Sequence, residues 1–392
     1  MTRLWRALGA ATSLGISLAV LTSCTAADRA VTTADQCSDS SATPTPDRHE
    51  PGQAILMAPA VRSSLPVGPV RGWEQVVSVA DGRTTLAAVH TDGTVSVVGV
   101  DHQGSLAGTG GGAGAGETVA PRVVPGISDA VSVAAVGSSF LVTHGDGTVT
   151  GWGDPLIADG GQRDDELDGM APTRVGEVED IVHIADGSLN VLALRADGRV
   201  TGWGTNLVRS LGEPNGTRVR DIKDVSGAVS IANPGDVAVI ANGDGEVCAW
   251  GNNQNGLLGV EPRGGETARP VRVGDLEGVS HVAGGINYAL ALDSQGRVWA
   301  WGRTVSGVLG DGSTENTAIA TPREVPGLPP LTRIFASDSA SYGIDDDGGL
   351  WAWGGSRRVG PYENTDRLPY LLPLPGPAQE VSGNVVLLGP SS

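Results

Sequence analysis

Lysine is almost missing from this 392-residue chain: Lys223 is the only one among 26 basic residues, set against 44 acidic ones, for a formal net charge of −18. A basic patch for nucleic acid is therefore lacking, and an acidic surface repels phosphate. Phenylalanine and tyrosine are as scarce, at 2 and 4. The 3 cysteines, Cys24, Cys37 and Cys248, are too few for a disulfide framework. Long apolar runs are also lacking. The longest, Leu8 to Leu21, falls short of the roughly 20 residues that cross a bilayer. Glycine, by contrast, is plentiful, at 59 residues, and apolar residues make up 40%. Glycine well above its usual ~7%, combined with a recurring apolar pattern, argues for many short strands joined by turns rather than for disorder.

The pattern has a unit. Asp197-Gly198-Arg199-Val200-Thr201-Gly202-Trp203-Gly204 reads as a turn, a strand and a stop. Asp-Gly makes a tight turn because glycine reaches positive φ without steric cost, and Val200 and Trp203 are β-formers. The octad recurs at Asp146–Gly153, Asp244–Gly251, Gln295–Gly302 and Asp347–Gly354, and more weakly at Asp92–Gly99, where Val98 replaces the tryptophan. A period of about fifty residues indicates a propeller or solenoid.

The first 24 residues read as a targeting segment: Arg3 and Arg6, then the apolar run, then Leu21-Thr22-Ser23-Cys24. That tetrad resembles the lipobox of bacterial lipoproteins. The resemblance implies lipid attachment at Cys24 and an extracytoplasmic protein held on the cell membrane by acyl chains, two or three of which anchor firmly. A secretory leader with a chance cysteine is the alternative. Residues 25–51, rich in Thr, Ser, Ala, Asp and Pro, read as a flexible tether. For Cys37 and Cys248, two separate thiols are favoured over a bridge between them.

Residues 52–390 form the repeat array. Ahead of each octad stand a short apolar segment ending in small residues, such as Val279–Gly285, and a Leu/Ala/Val strand, such as Ala289–Leu292. Small residues suit the strand nearest a propeller axis, where volume runs out. After the octad comes a Gly-rich loop and often a Pro-bearing segment, such as Pro270–Val273, fit for an edge. Four strands make a blade. The inner strand occurs seven times, at Val79, Val133, Ile184, Ile231, Val282, Ile334 and Val381, although the octad occurs six times. The expected fold is all-β, a seven-bladed β-propeller whose last blade takes its outer half from the N-terminus, through Gln53–Ala58 and Leu65–Val70. Six blades with ragged ends is the alternative.

The run Val282–Gly302, with Ser306–Gly312 and Asn255–Gly259, closely resembles repeats of the regulator-of-chromosome-condensation family. The resemblance covers roughly residues 52–390 and implies the propeller. The family's eukaryotic founder exchanges nucleotide on a nuclear GTPase and touches chromatin, and an acidic exported chain has neither target. A secreted bacterial branch inhibits β-lactamases through loops on one rim. Carried over, that rim is formed by the loops after the inner strands, with Arg83, Thr84, Ser138, Phe140, Asn190, Asp236, Asn287, Tyr288 and Tyr342 as partner-binding candidates. Phe140, Tyr288 and Tyr342 are either aromatic anchors or core between blades, and the sequence leaves both open.

No catalytic set emerges: no nucleophile elbow and no helical zinc-type His pair. His183 and His281 share a position held elsewhere by Ser78, Ser132 and Ser230, and read as polar inner-strand residues. Gly108–Gly116 lacks the helix and Lys of a phosphate cradle. The acidic loop Asp154–Asp168 matches no EF-hand. The expectation is a non-enzymatic, monomeric, membrane-anchored propeller without metal or cofactor, binding an envelope or extracellular protein and no nucleic acid. A glycan-binding propeller using Trp299 and Trp351 is the alternative, and an enzyme with a site in the axial channel the weakest reading.

Overall fold

A computed structural model describes residue 37 and residues 41–390, except for 58–64, 108–118, 161–170, 213–216, 356–366 and the single positions 83, 103, 186, 188, 208, 262 and 314. The chain divides into two units, Met1–Thr32 and Thr33–Ser392, and every described residue lies in the second. That unit is a seven-bladed β-propeller. Its strands form seven four-stranded antiparallel sheets.

Blade 1 runs from β3 (Val76–Asp81) through β4 (Thr85–His90) and β5 (Val95–Gly99) to β6 (Val119–Val123). Blades 2 to 6 repeat this order, beginning at Ala130, Ile181, Ala228, Val279 and Leu331. The third strands are the octads, for example Val200–Gly204 and Val298–Arg303. Blade 7 joins both ends of the chain. Its inner strands β27 (Ala378–Ser382) and β28 (Val385–Leu388) are completed by β1 (Gln53–Leu56) and the short β2 (Gly68–Pro69). The β1–β28 register places Gln53 opposite Leu388 and Leu56 opposite Val385. This is the closure expected from seven inner strands and six octads, and it excludes the six-bladed alternative.

Seven apolar clusters fill the seven gaps between blades. The octad tryptophans Trp152, Trp203, Trp250, Trp301 and Trp353 are each fully buried there. Each indole N–H donates to a carbonyl of the preceding blade: Ser105 O at 2.9 Å, Ile157 O at 2.8 Å, Ser210 O at 2.7 Å, Leu257 O at 2.9 Å and Val308 O at 2.9 Å. The ring supplies apolar area, and the polar edge finds the partner that a buried indole requires.

The turn glycine also links blades. The carbonyl of Gly147 accepts from Ile181 N at 3.0 Å, that of Gly245 from Val279 N at 3.0 Å and that of Gly348 from Ala378 N at 2.8 Å. Gly52 does the same for blade 1, accepting from Val76 N at 3.1 Å. Pro51-Gly52 is thus the seventh copy of the turn, hidden in the sequence because Pro stands where the others carry Asp or Gln.

Candidate protein-binding face

The connections from first to second strand and from third to fourth share one end of the propeller, here the loop end. Backbone bonds tie them together, as in Val100 N to Thr84 O at 2.9 Å, Thr205 N to Leu189 O at 3.0 Å and Arg303 N to Asn287 O at 2.8 Å. The Asp-Gly turns and the links between blades form the other, turn end.

Arg83 aside, the expected rim residues belong to the loop end, and most of them serve to hold it. Thr84 and Ser138 are buried; the Thr84 hydroxyl donates to Val100 O at 2.8 Å, and Ser138 Oγ pairs with His102 Nδ1 at 3.1 Å. Asn190 donates to Thr205 O at 3.1 Å and Ser210 Oγ at 2.9 Å, and its own Oδ1 accepts from Asn233 at 2.9 Å. Asn287 is half-buried and accepts from Asn255 at 2.9 Å. Asp236 is exposed. Arg83 and Cys24 lie outside the described residues, as do Gly108–Gly116 and residues 161–168 of the acidic loop.

The aromatic-anchor reading is corrected. Phe140, Tyr288 and Tyr342 have relative exposures of 0, 0 and 1%, so they present no area to a partner. Phe140 stacks on Trp152 with centroids 5.5 Å apart. Tyr288 reaches into the next blade, where its hydroxyl donates to Ala340 O at 2.7 Å, and Tyr342 likewise donates to Gly383 O at 3.0 Å. Burial pushes both phenols well above their ordinary pKa. The rings lie one step from the loop tips, but their side chains turn into the gaps between blades. Trp299 and Trp351 are half-buried, with indole N–H groups donating to Asp293 at 3.1 Å and Asp345 at 2.9 Å.

What the loop end does expose is aliphatic. Among the described residues ten large hydrophobics are exposed, and seven of them, Val67, Leu156, Leu189, Leu207, Ile286, Val305 and Leu368, lie in loop-end connections. Leu156 and Leu207 follow the third strands of blades 2 and 3, and Leu189 lies between them in chain order, at the first loop of blade 3. Sequence reasoning missed this set by searching for rings. The signal was a Leu or Ile set among Gly, Asn and Ser, as in Thr205-Asn206-Leu207 and Gly285-Ile286-Asn287.

The axial channel is lined by the inner strands of all seven blades, and His183 and His281 face it, as their repeat position implied. Residues 42–47 lie against its turn-end mouth, and Asp47 and His49 reach its lining. Most of the 25–51 segment read as a tether lies outside the described residues, but 41–51 are placed on the propeller. The cause is a second correction: Cys37 and Cys248 are joined in a disulfide. Both sulfurs are buried between blades 3 and 4, where an apolar pocket holds the two side chains together. Arg333 pairs with Asp47 at 3.4 Å, and His49 stands 3.9 Å from Glu380. Burial, then the charge of Arg333, lowers His49 to about 4; burial foremost lowers His281 to about 4 as well. Both imidazoles are therefore neutral at physiological pH. Among the described residues no group of three or more His, Cys, Asp or Glu is arranged to hold a metal.

The regulator of chromosome condensation (RCC1) repeat matches residues 244–292 and 295–344, which are blades 4 to 6 between one second-strand turn and the next. Among curated proteins, pim1 of Schizosaccharomyces pombe is 27% identical over 55% of this chain and 45% of its own length. The mitochondrial RCC1 domain-containing protein RUG3 of Arabidopsis thaliana is 35% identical over 29% of this chain and 26% of its own. The chain thus spans less than half the length of these relatives. Among solved structures, Prp20p of Saccharomyces cerevisiae superposes with a TM-score of 0.73 at 19% identity, over 87% of this chain and 92% of that one. Human WBSCR16 does so at 0.71 and 20% identity, over 88% and 100%. At such identities the likeness concerns fold. The chain thus carries RCC1 repeats in its middle blades, within a propeller of the same fold as these structures.

Proposed function

We propose that this chain is an extracytoplasmic, membrane-anchored propeller that binds a protein partner through its loop end and carries out no chemistry of its own. The observation that carries the binding reading is the concentration of exposed aliphatic side chains at that end. Scattered apolar residues are ordinary on a surface, whereas their gathering on one face marks interaction sites. Asp236 and Asp338 stand exposed among them, giving the face the apolar-with-polar character of a protein interface. Prp20p, of the same fold, is described by its binding to Gsp1p and histones; for this acidic chain the partner class is an envelope or extracellular protein.

Two features support the location. The N-terminal segment has the charge, length and terminal Leu-Thr-Ser-Cys of a lipoprotein leader. The Cys37–Cys248 disulfide is a bond that persists in oxidising compartments and is rare in the cytosol. A Cys24→Ser variant should move from the membrane to the soluble extracytoplasmic fraction; retention on the membrane would remove the anchor. Replacing Leu156, Leu189 and Leu207 by Ser should abolish capture of the partner by the purified propeller, while Val123→Ser, on an outer edge strand, should not. Undiminished capture by the triple variant would sink the loop-end assignment.

A further inference from the structure

The segment between Cys37 and Gly52 belongs to no blade and is not used by the loop end. Its described part, from residue 41, lies at the turn end beside blades 3 to 6. Ala42, Thr43, Pro44, Thr45 and Asp47 lie there against the first inner-strand residues, Val229 and Ser230, and the turn Asn242–Gly245. It then reaches blade 7, where Glu50 and Gln379 exchange two hydrogen bonds at 2.8 and 3.0 Å. Between those two ends Asp47 and His49 border the channel.

The contacts along the way are weak. Of residues 41–50, Pro44 and the His49 side chain are buried, whereas Thr43, Thr45, Pro46, Asp47 and Arg48 are exposed. The Asp47–Arg333 pair has side chains 54 and 32% exposed, and a solvent-facing pair contributes little. Ordering a stretch of this length costs more than a buried proline, the buried His49 ring, two exposed hydrogen bonds and one wet ion pair return. What keeps the segment in place is that both its ends are fixed, one by β1 in blade 7 and one by the disulfide.

We propose that residues 41–51 are a lid over the turn-end mouth of the axial channel, latched through the Cys37–Cys248 bond, and that breaking this bond opens the channel to solutes. The exchange balances with a dithiol reductant. One thiolate attacks a sulfur of the bridge, the protein S–S bond breaks, and the second thiol closes the reductant into a disulfide. Two electrons and two protons thereby pass to Cys37 and Cys248. Both sulfurs are buried, at 1 and 0% exposure, so the latch yields slowly and only when the lid or the gap between blades 3 and 4 opens. The segment then remains attached at Gly52 alone, and His183, His281 and Arg333 lose their cover.

The test is carbethoxylation of histidines in the native protein, followed by peptide mass spectrometry. Burial keeps His183 and His281 in the neutral, nucleophilic form, so access limits their labelling. Treatment with a dithiol, its completeness checked by thiol alkylation, should speed labelling of His183 and His281 at least five-fold. His90 and His144, at the ends of second strands in blades 1 and 2, should label at an unchanged rate. The Cys37→Ser variant should match the reduced protein. Unchanged labelling after full reduction overturns the lid, and so does a rise at all four histidines alike, which reports loss of the fold. If Cys37→Ser fails to fold, deuterium uptake by the reduced wild-type protein decides: uptake confined to residues 41–51 supports the latch, and protection equal to that of the oxidised protein refutes it.

Discussion

At the scale of the residue, two side-chain choices do most of the work, and both act between blades. An octad tryptophan brings a fully buried ring to its own blade and a hydrogen bond to the blade before it. Trp203→Ala should therefore cost about 3–5 kcal/mol, measured as a shift in the urea midpoint at constant slope. Trp203→Phe, which keeps most of the apolar area but leaves Ile157 O without its indole donor, should lose less. The turn glycine is the second choice. Gly147 has φ +77°, and a Cβ there would stand 2.7 Å from Asp180 Cα in the next blade. Gly147→Ala meets a backbone that cannot recoil as a flexible side chain would, and it also carries the left-handed conformational penalty. The expected loss is at least ~2 kcal/mol, more than Gly→Ala costs at Gly126, which has φ +80° and no neighbour within 4 Å. If the two variants melt together, the interblade contact is irrelevant to stability.

At the scale of the element, the lid responds to acid. The folded chain holds His49 and His281 near 4, below an ordinary 6.5, so between those values the unfolded chain binds more protons. Stability from these groups is fully present above about 6.5 and declines as the pH falls towards 4. Burial opposes ionisation of Asp47, but Arg333 foremost among the nearby positive groups outweighs it and keeps the carboxyl below its ordinary 3.8. Its contribution is lost lower still, in the same direction. Going from pH 6.5 to pH 4, amide protection in residues 41–51, corrected for the intrinsic exchange rate, should fall while the octad strands stay protected. Unchanged protection across that range would show that these imidazoles are not tied to the lid.

The elements also show what the sequence could and could not reveal. The third strands were legible because Asp-Gly, a Val or Leu two residues on and Trp-Gly all point to one local structure, and repetition removed the ambiguity of a short apolar run. Blade 7 was legible by counting. That the loops after the inner strands gather at one end was legible, but not which way their side chains turn. Whether Tyr288 at a strand start faces solvent or the next blade depends on the gap beside it, which no local pattern encodes. The disulfide was illegible for the same reason: Cys37 and Cys248 are separated by 211 residues and meet only once blade 4 has formed and the chain has crossed the turn end.

At the scale of the whole molecule, the disulfide acts on the unfolded chain as well as on the folded one, and the seam where β1 meets β28 acts on the folded one. Closing a loop of 211 residues has an entropic ceiling of roughly 5 kcal/mol. Because the native lid gains freedom when released, Cys37→Ser should lose about 2–4 kcal/mol in a denaturant melt and still form the propeller. Deleting residues 1–40 should act alike. Deleting residues 1–72 removes β1 and β2, leaves Val385–Leu388 as a bare edge, and should yield oligomers or insoluble protein, read by size-exclusion chromatography.

That seam also sets an order of events. β1 is among the first propeller segments to leave the ribosome, yet its partner is Val385–Leu388, almost the last. Blades 1 to 6 can each pair their own strands as they emerge, but Gln53–Leu56 has no mate until Val385–Leu388 has been made. For most of the chain's production the propeller is thus an open arc with an unpaired strand at its leading end. Its completion is a late, long-range step, so the vulnerable period for this protein falls before Val385–Leu388 appear, when a chaperone covering residues 53–56 would be of most use.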